Sequence, residues 1–183
     1  MLDNWKLLKS RTILKSFPFN ILKKRYLNPI SKKKFTAFVL DVPDWANIIV
    51  FNDKKEILLV RQFRFGSDKI ELEIPGGCIF KGESPKKAAQ RELREETGYN
   101  VDLENLKQIG VVEANPAIQN NKCYTFLAEK ISSLGEQELD PDEIIEYEFA
   151  SREQVRKYIR EGQITNTYII AAFHWLALHT ELN

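Results

Sequence analysis

Cysteine and long apolar runs are both scarce in this sequence, and each scarcity excludes a class of protein. The two cysteines, Cys78 and Cys123, lack the spacing of a metal site, and a pair of free thiols is typical of a reducing cytosol. The longest apolar stretch, residues 168–178, is too short to span a bilayer and contains His174. Because the first residues also lack the apolar core and cleavage site of a signal peptide, we expect a cytoplasmic protein without membrane association.

Internal repeats, low-complexity tracts and Gly/Ser-rich linkers are also missing, so one domain with one sizeable core is expected for a chain of 183 residues. The net charge is only +1, but residues 1–40 carry +9 and the remainder carries −8. The basic residues of this first segment are interspersed with aromatic and aliphatic ones, which is typical of folded strands. Nucleic acid is therefore not an expected partner; an acidic neighbouring subunit or a phosphate-bearing substrate fits better.

Residues 77–99 carry most of the information on chemistry. Ser84 suits the N-cap of a helix, and Pro85 suits its first turn. Gly98 suits the left-handed position just past the end of a helix. A helix is therefore predicted over residues 86–97.

Three glutamates, Glu92, Glu95 and Glu96, are spaced to lie on one side of this helix. Their like charges repel one another, so we expect a cation against them. Carboxylate oxygens without histidine or cysteine on that face favour Mg²⁺ or Mn²⁺, which take substrate phosphates as further ligands. Such an ion lowers the pKa of a bound water and so supplies a nucleophile near neutral pH. A solvated acidic helix face is the alternative interpretation.

Seven residues of this stretch stand in the register of a known motif: Gly77, Glu83, Arg91, Glu92, Glu95, Glu96 and Gly98. The spacing resembles the box of the Nudix hydrolases, from which it departs at Tyr99, where the family has an aliphatic residue. The resemblance implies that Glu92, Glu96 and the backbone carbonyl of Gly76 bind the essential ions, with Glu95 assisting. We expect Arg91 and Glu83 to orient these ligands.

Strands dominate the predicted elements, with helices after the third or fourth strand and at the C-terminus, which is an α+β order. Strands are predicted over residues 46–51, 56–62, 69–74, 106–113, 122–129 and 144–149, a hairpin over residues 17–41, and helices over residues 151–160 and from 166 onward. This order is similar to the α/β/α sandwich of Nudix domains, with a mixed sheet.

The resemblance implies a Nudix hydrolase domain over residues 36–183, preceded by an N-terminal β extension over residues 1–35. The extension resembles the N-terminal strands of ADP-ribose and nucleoside-diphosphate-sugar pyrophosphatases, which pack on a partner subunit. We also expect the extension to form an edge hairpin whose exposed strand can pair with another chain. Both arguments lead us to expect a homodimer.

Residues 60–64 and 71–77 resemble the V-R-Q-Y-R and E-x-P-A-G runs of that subgroup, with Phe63 and Gly76 as departures. We expect Arg61 and Arg64 to face one side of their strand and to present forked donors to a diphosphate. A salt-bridged exposed face is the alternative. The resemblance implies that Glu73 contacts substrate near the metal.

Residues 115–121 interrupt two strands with polar side chains, and Pro116 stands close to a proline of the subgroup. Pro116 and Asn121 are therefore candidate substrate contacts, although the segment can also be an ordinary loop. Because Ala117 follows where the subgroup often has glycine, a broader nucleotide-sugar preference is favoured over ADP-ribose alone.

Residues 134–148 hold seven acidic residues and no basic one. The loop over residues 140–143 resembles the flexible loop that supplies the catalytic base in these enzymes. We expect Glu143 or Asp140 to be the base and Asp142 to be a further metal ligand, with a solvated loop as the alternative.

The sequence thus predicts a Mg²⁺- or Mn²⁺-dependent pyrophosphatase that hydrolyses ADP-ribose or other nucleoside diphosphate sugars to a nucleoside monophosphate and a sugar phosphate. A nucleoside-triphosphate pyrophosphatase and a non-catalytic nucleotide-binding Nudix module are the alternatives. An RNA cap hydrolase is a third, and it predicts steeply salt-dependent RNA binding.

Overall fold

A computed structural model describes residues 4–131 and 133–181. The chain forms two compact units: residues up to 43 together with 113–122, and residues 44–112 together with 123 onward. In the described part, none of the helices is both long and apolar enough to cross a membrane.

The first unit is built on three antiparallel strands, β1 (Lys6–Lys15), β2 (Asn20–Leu27) and β3 (Lys34–Asp41), in the order β1-β2-β3. The predicted hairpin over residues 17–41 is confirmed as β2 and β3. Its turn forms at Asn28, whose side chain accepts hydrogen bonds from the N–H groups of Ile30 and Ser31, both at 2.9 Å. Every residue of β1 is exposed, so this sheet presents an uncovered edge.

The second unit contains the remaining strands and α-helices, except for the end residues Glu113 and Lys122, in this order: β4 (Trp45–Val50), β5 (Ile57–Arg64), β6 (Lys69–Glu73), β7 (Gly76–Cys78), α1 (Pro85–Thr97), β8 (Tyr99–Asn100), β9 (Lys107–Glu113), β10 (Lys122–Ala128), β11 (Ser133–Leu134), β12 (Ile145–Ala150), α2 (Arg152–Arg160) and α3 (Thr167–Glu181). Strand order is β7-β4-β10-β9 in one sheet and β12-β5-β6 in another, and β8 pairs with β11. Because β10 runs parallel to β4 and β7 runs antiparallel to it, the predicted α+β class with a mixed sheet is confirmed.

The strands of this unit alternate between two hydrophobic clusters. Ile48 and Leu58 pack with Leu93 of α1, whereas Ile49 and Leu59 pack with residues of α2 and α3. All four strand side chains are fully buried. Successive residues of a strand point to opposite faces, so β4 and β5 are covered by helices on both sides. This is the layered arrangement that the sequence predicted.

Capping residues set the helix boundaries where the sequence predicts them. Ser84 accepts a hydrogen bond from the N–H of Lys87 at 3.3 Å, and Gly98 adopts a left-handed φ of 73° at the end of α1. Ser151 accepts one from the N–H of Gln154 at 3.1 Å at the start of α2. One strand was not predicted: beyond the predicted strand over residues 69–74, Gly76–Cys78 pairs with β4 as a strand of its own.

Candidate active site

Helix α1 and strand β7 together position two glutamates. Ala89 and Leu93 are fully buried, which fixes the rotation of α1. The carboxylate of Glu92 then occupies the space beside Gly77, where a Cβ atom would lie 2.4 Å from Glu92 Oε1. Glycine at position 77 therefore makes room for this carboxylate.

Arg91 ties three acidic side chains to the backbone of β7. Its guanidinium donates to both carboxylate oxygens of Glu83 at 2.9 and 3.1 Å, and to Glu92 and Glu95 at 2.8 and 2.9 Å. It also donates to the carbonyl of Cys78 at 2.9 Å. A guanidinium with five donors is suited to holding such a set in one geometry.

Charge and burial act in opposite directions on this network. Burial alone would lower the pKa of Arg91 and raise that of Glu83. Burial is the largest single effect on each group, but the hydrogen bonds and charges of the neighbouring groups together outweigh it, so the net pKa of Arg91 is raised and that of Glu83 is lowered. Both groups are therefore charged at neutral pH, and the pair holds its geometry.

Glu96 lies deeper than the others, with only 4 % of its surface exposed. One of its carboxylate oxygens accepts the backbone N–H of Gly76 at 3.0 Å. Gly76 itself has no room for a side chain, since a Cβ atom would lie 2.6 Å from the carbonyl oxygen of Ala46. The sharp approach of β7 to β4 thus brings the peptide of Gly76 against Glu96.

The neighbouring groups of the protein do not fully offset the cost of placing negative charge on Glu92 and Glu96. Burial raises the pKa of Glu92 to about 7, against the opposing effect of Arg91. Burial and the charge of Glu92 raise the pKa of Glu96 well above its usual value. Two neighbouring carboxylates, one half-buried and one buried, with raised pKa values favour a bound cation or proton between them.

The donor set fits a hard divalent cation. Within the described residues, no three Asp, Glu, His or Cys side chains converge as a complete metal site. The set is instead two carboxylates, Glu92 and Glu96, next to the Gly76 peptide. Magnesium is commonly held by one or two carboxylates, water and substrate phosphates, so an incomplete protein shell suits it.

The NUDIX domain pattern matches residues 43–173 of this chain, which is well over half of its length. The chain belongs to the Nudix family. An ADP-ribose pyrophosphatase of Bacillus subtilis (strain 168) is 33% identical over 141 residues, covering 76% of this chain and 75% of that relative. A methanol dehydrogenase activator of Bacillus methanolicus is 28% identical over 141 residues, with coverage of 76% and 75%.

A solved structure described as an ADP compounds hydrolase has the same fold. It matches with a TM-score of 0.83 and covers 99% of this chain and 96% of its own, at 16% sequence identity. The chain therefore shares the fold of that solved structure over nearly its whole length.

Beside the Nudix helix, Arg64 and Glu73 form a forked ion pair. Arg64 Nε and Nη2 donate to the two oxygens of Glu73 at 3.0 and 2.8 Å. Burial opposes the charge of Arg64, but its bond to Glu73 and the charges of Glu73 and Glu96 raise its net pKa. This cation therefore lies close enough to Glu96 for the two charges to interact.

Arg61 does not share the side of β5 that carries Arg64, so the expectation of a common face is wrong. The two residues are three positions apart, and a regular strand turns such positions to opposite faces. Arg61 instead donates to both oxygens of Glu148 on β12 at 3.1 Å. The salt-bridge alternative therefore describes Arg61, whose side chain is 37% exposed.

The acidic loop between β11 and β12 reaches the Nudix carboxylates through Glu143. The charge of Glu143 contributes to the raised pKa values of Glu92 and Glu96. The N–H of Asp140 donates to the Glu143 carboxylate at 3.4 Å, and the N–H of Glu143 donates to the Asp140 carbonyl at 2.9 Å. Asp142 lies in the same turn and is exposed.

Pro116 and Asn121 belong to the first unit rather than to the unit that holds the Nudix helix. Pro116 lies in an exposed loop, whereas Asn121 is 3% exposed. Their role as substrate contacts stays a prediction.

Two residues near the site were missed by the sequence reasoning. The Trp45 ring lies under the Arg64 guanidinium, 5.4 Å from its central carbon. Asn166 donates to Glu73 at 3.1 Å while its side chain also caps α3 by accepting the N–H of Tyr168 at 2.9 Å. A capping asparagine before an apolar helix is visible in the sequence, but its contact with a strand far along the chain is not.

Proposed function

We propose that this Nudix chain hydrolyses the diphosphate bond of ADP-ribose or a related nucleoside diphosphate sugar, with Mg²⁺ or Mn²⁺ as cofactor. The observation that carries the proposal is the pair of half-buried Glu92 and buried Glu96, which lie against β7 and have raised pKa values. The substrate class rests on the relatives, among them the ADP-ribose pyrophosphatase of Bacillus subtilis (strain 168).

Glu92, Glu96 and the Gly76 carbonyl would hold the metal, with Glu95 and Asp142 as additional ligands. When bound, the metal neutralises phosphate charge and lowers the pKa of a bound water. Arg91 keeps Glu92 and Glu95 in place through its bonds at 2.8 and 2.9 Å, and Glu83 in turn holds Arg91. Such support orients the ligands before substrate arrives.

Arg64 and Glu73 are the proposed substrate contacts beside the metal ligands. The Arg64 guanidinium is stacked on Trp45 and paired with Glu73, so its orientation is set in advance. A preset planar cation binds phosphate oxygens with little loss of side-chain entropy. Arg61, Pro116 and Asn121 stay predicted substrate residues whose contribution substitution experiments can measure.

Glu143 is the proposed general base, with Asp140 as the alternative. In the reaction a water oxygen attacks one phosphorus of the diphosphate, and the proton of that water passes to the loop carboxylate. The bridging P–O bond breaks, which leaves a nucleoside monophosphate and a sugar phosphate. The effect of Glu143 on Glu92 and Glu96 supports its proximity to the reacting atoms.

We also infer a cytoplasmic homodimer that forms through the first unit. Apolar side chains of β1 and β3 are exposed, among them Leu7 at 50%, Leu14 at 51% and Phe38 at 56%. A sheet with an open edge and exposed apolar side chains gains stability when a partner covers it. Sedimentation equilibrium at micromolar concentration should give twice the chain mass, and a monomer would contradict the inference.

The free thiols of Cys78 and Cys123 suit a reducing compartment.

A substrate panel tests the function. Purified protein with Mg²⁺ or Mn²⁺ is assayed against ADP-ribose, hexose nucleotides and nucleoside triphosphates, and the products are identified by mass. Release of a nucleoside monophosphate and a sugar phosphate supports the proposal. Faster turnover of triphosphates would favour the triphosphate pyrophosphatase, and binding without turnover would favour the non-catalytic module.

A further inference from the structure

The second unit contains a cleft that none of the proposed catalytic residues lines. It encloses about 950 Å³ and lies among the ends of β4, β10, α2 and α3. Four cationic side chains line it, Lys55, Lys107, Lys130 and Arg152, together with one acidic residue, Glu129. The lining therefore carries an excess of positive charge, the opposite of the Nudix carboxylates.

These four cations form no ion pair within the part of the chain that the structure describes. Among the ion pairs of residues 4–131 and 133–181, none involves Lys55, Lys107, Lys130 or Arg152. Elsewhere in the same unit basic side chains do pair with acids, as Arg91, Arg64 and Arg61 do. Like charges gathered around one concavity raise its potential and attract anions.

Arg152 is oriented toward this cleft by its surroundings. Its guanidinium lies over the ring of Phe51, with 4.9 Å between its central carbon and the ring centroid. Arg152 is also the first residue of α2, whose N-terminal end carries a partial positive charge. The cleft floor is apolar because it is formed by the side chains of Phe51, Leu127 and Leu176. These side chains are only 3, 5 and 6% exposed. An apolar floor lowers the local dielectric and strengthens the attraction of anions.

We propose that this cleft is a second binding site, for a small phosphorylated molecule. The volume is within the range of small-molecule sites, roughly 300–1,000 Å³, and a concave shape does not suit a flat protein surface. Phosphate groups match several lysines and one arginine, because each oxygen can accept a charge-assisted hydrogen bond. Asn105 and Thr180 also line the cleft and offer neutral hydrogen-bonding groups for the remainder of the ligand. The site does not depend on the proposed hydrolysis.

Calorimetric titration of the full chain tests the site. EDTA is present throughout, so that no divalent metal mediates phosphate binding at the Nudix carboxylates. The probes are inorganic pyrophosphate, ribose 5-phosphate and citrate, titrated into wild type and two double variants. One variant is Lys55→Gln with Arg152→Gln, which neutralises the cleft. The matched control is Lys54→Gln with Arg156→Gln, which removes the same charge from exposed neighbours in the same turn and the same helix.

Wild type and the control are expected to bind pyrophosphate or ribose 5-phosphate with equal affinity. The cleft variant should bind at least about tenfold more weakly, as expected for the loss of two nearby unit charges. A preference for pyrophosphate would indicate an inorganic ligand, and one for ribose 5-phosphate an organic phosphate. Circular dichroism and unchanged kcat/KM would show that the variant is folded. Absence of binding at ~5 mM probe, equal loss in both variants, or equal binding of citrate would overturn the proposal.

Discussion

Replacing Gly77 by alanine should impair the metal site while the fold stays intact. The added Cβ would lie 2.4, 2.5 and 2.6 Å from the carboxylate atoms of Glu92, where an ordinary contact begins at 3.4 Å. The carboxylate must therefore withdraw by about 1 Å, and displacement of a catalytic group by that distance can cost roughly 100-fold in rate. The atoms that clash belong to the end of a flexible side chain, so the backbone of β7 can stay in place.

The assay compares kcat, the activation constant for Mg²⁺ and the melting temperature of Gly77→Ala with those of wild type. We expect a strong loss of kcat at limiting Mg²⁺, together with a fall in melting temperature of only a few degrees, which corresponds to a loss of ~1 kcal/mol in the free energy of unfolding. Gly66→Ala is the control, because a Cβ atom there meets nothing within 4 Å. Normal Mg²⁺ activation in Gly77→Ala, or an equal defect in Gly66→Ala, would refute the reasoning.

Two further predictions concern the buried carboxylates. Because burial raises the pKa of Glu96 above its unfolded value, the native state binds this proton more tightly, and the carboxylate costs stability as pH rises. Glu96→Gln should therefore abolish turnover and raise the free energy of unfolding of the metal-free protein. Urea titrations should show a gain of ~1–3 kcal/mol at pH 8 and a negligible gain at pH 4. An active, well-folded variant would contradict the metal assignment. Burial also raises the pKa of Glu92 to about 7. Its deprotonated fraction then grows about tenfold from pH 6 to pH 8, and Mg²⁺ affinity measured by calorimetry should rise by a similar factor; a pH-independent affinity would argue against Glu92 as a ligand.

Much of the fold was predictable because its signals are local. The α1 boundaries follow from Ser84 and Gly98, which act on the backbone within one turn. The strands β4 and β5 follow from their β-branched and aliphatic composition, and both are covered on two faces. The short strand Gly76–Cys78 was not predicted, because glycines in a strand carry no propensity signal and their pairing with β4 depends on residues far along the chain.

The arginines of β5 show where sequence patterns were insufficient. From the sequence, Arg61 and Arg64 were predicted to donate to a diphosphate from one side of β5. In the structure they point to opposite faces and pair with different strands, Arg61 with Glu148 on β12 and Arg64 with Glu73 on β6. The choice between the acids of the 140–143 loop was equally open in the sequence. In the structure the charge of Glu143 contributes to the raised pKa values of Glu92 and Glu96, a through-space effect that spacing along the chain does not contain, and its role as the base stays a prediction.

By itself, the sequence determined that three glutamates would share one side of a capped helix, because helical periodicity and end signals act over a few residues. Only the tertiary structure decided which of these carboxylates is buried, which peptide meets it, and which arginine lies beside it. Burial and long-range contact depend on how strands from distant parts of the chain are packed, and the pKa values that make Glu92 and Glu96 candidate metal ligands arise from that packing.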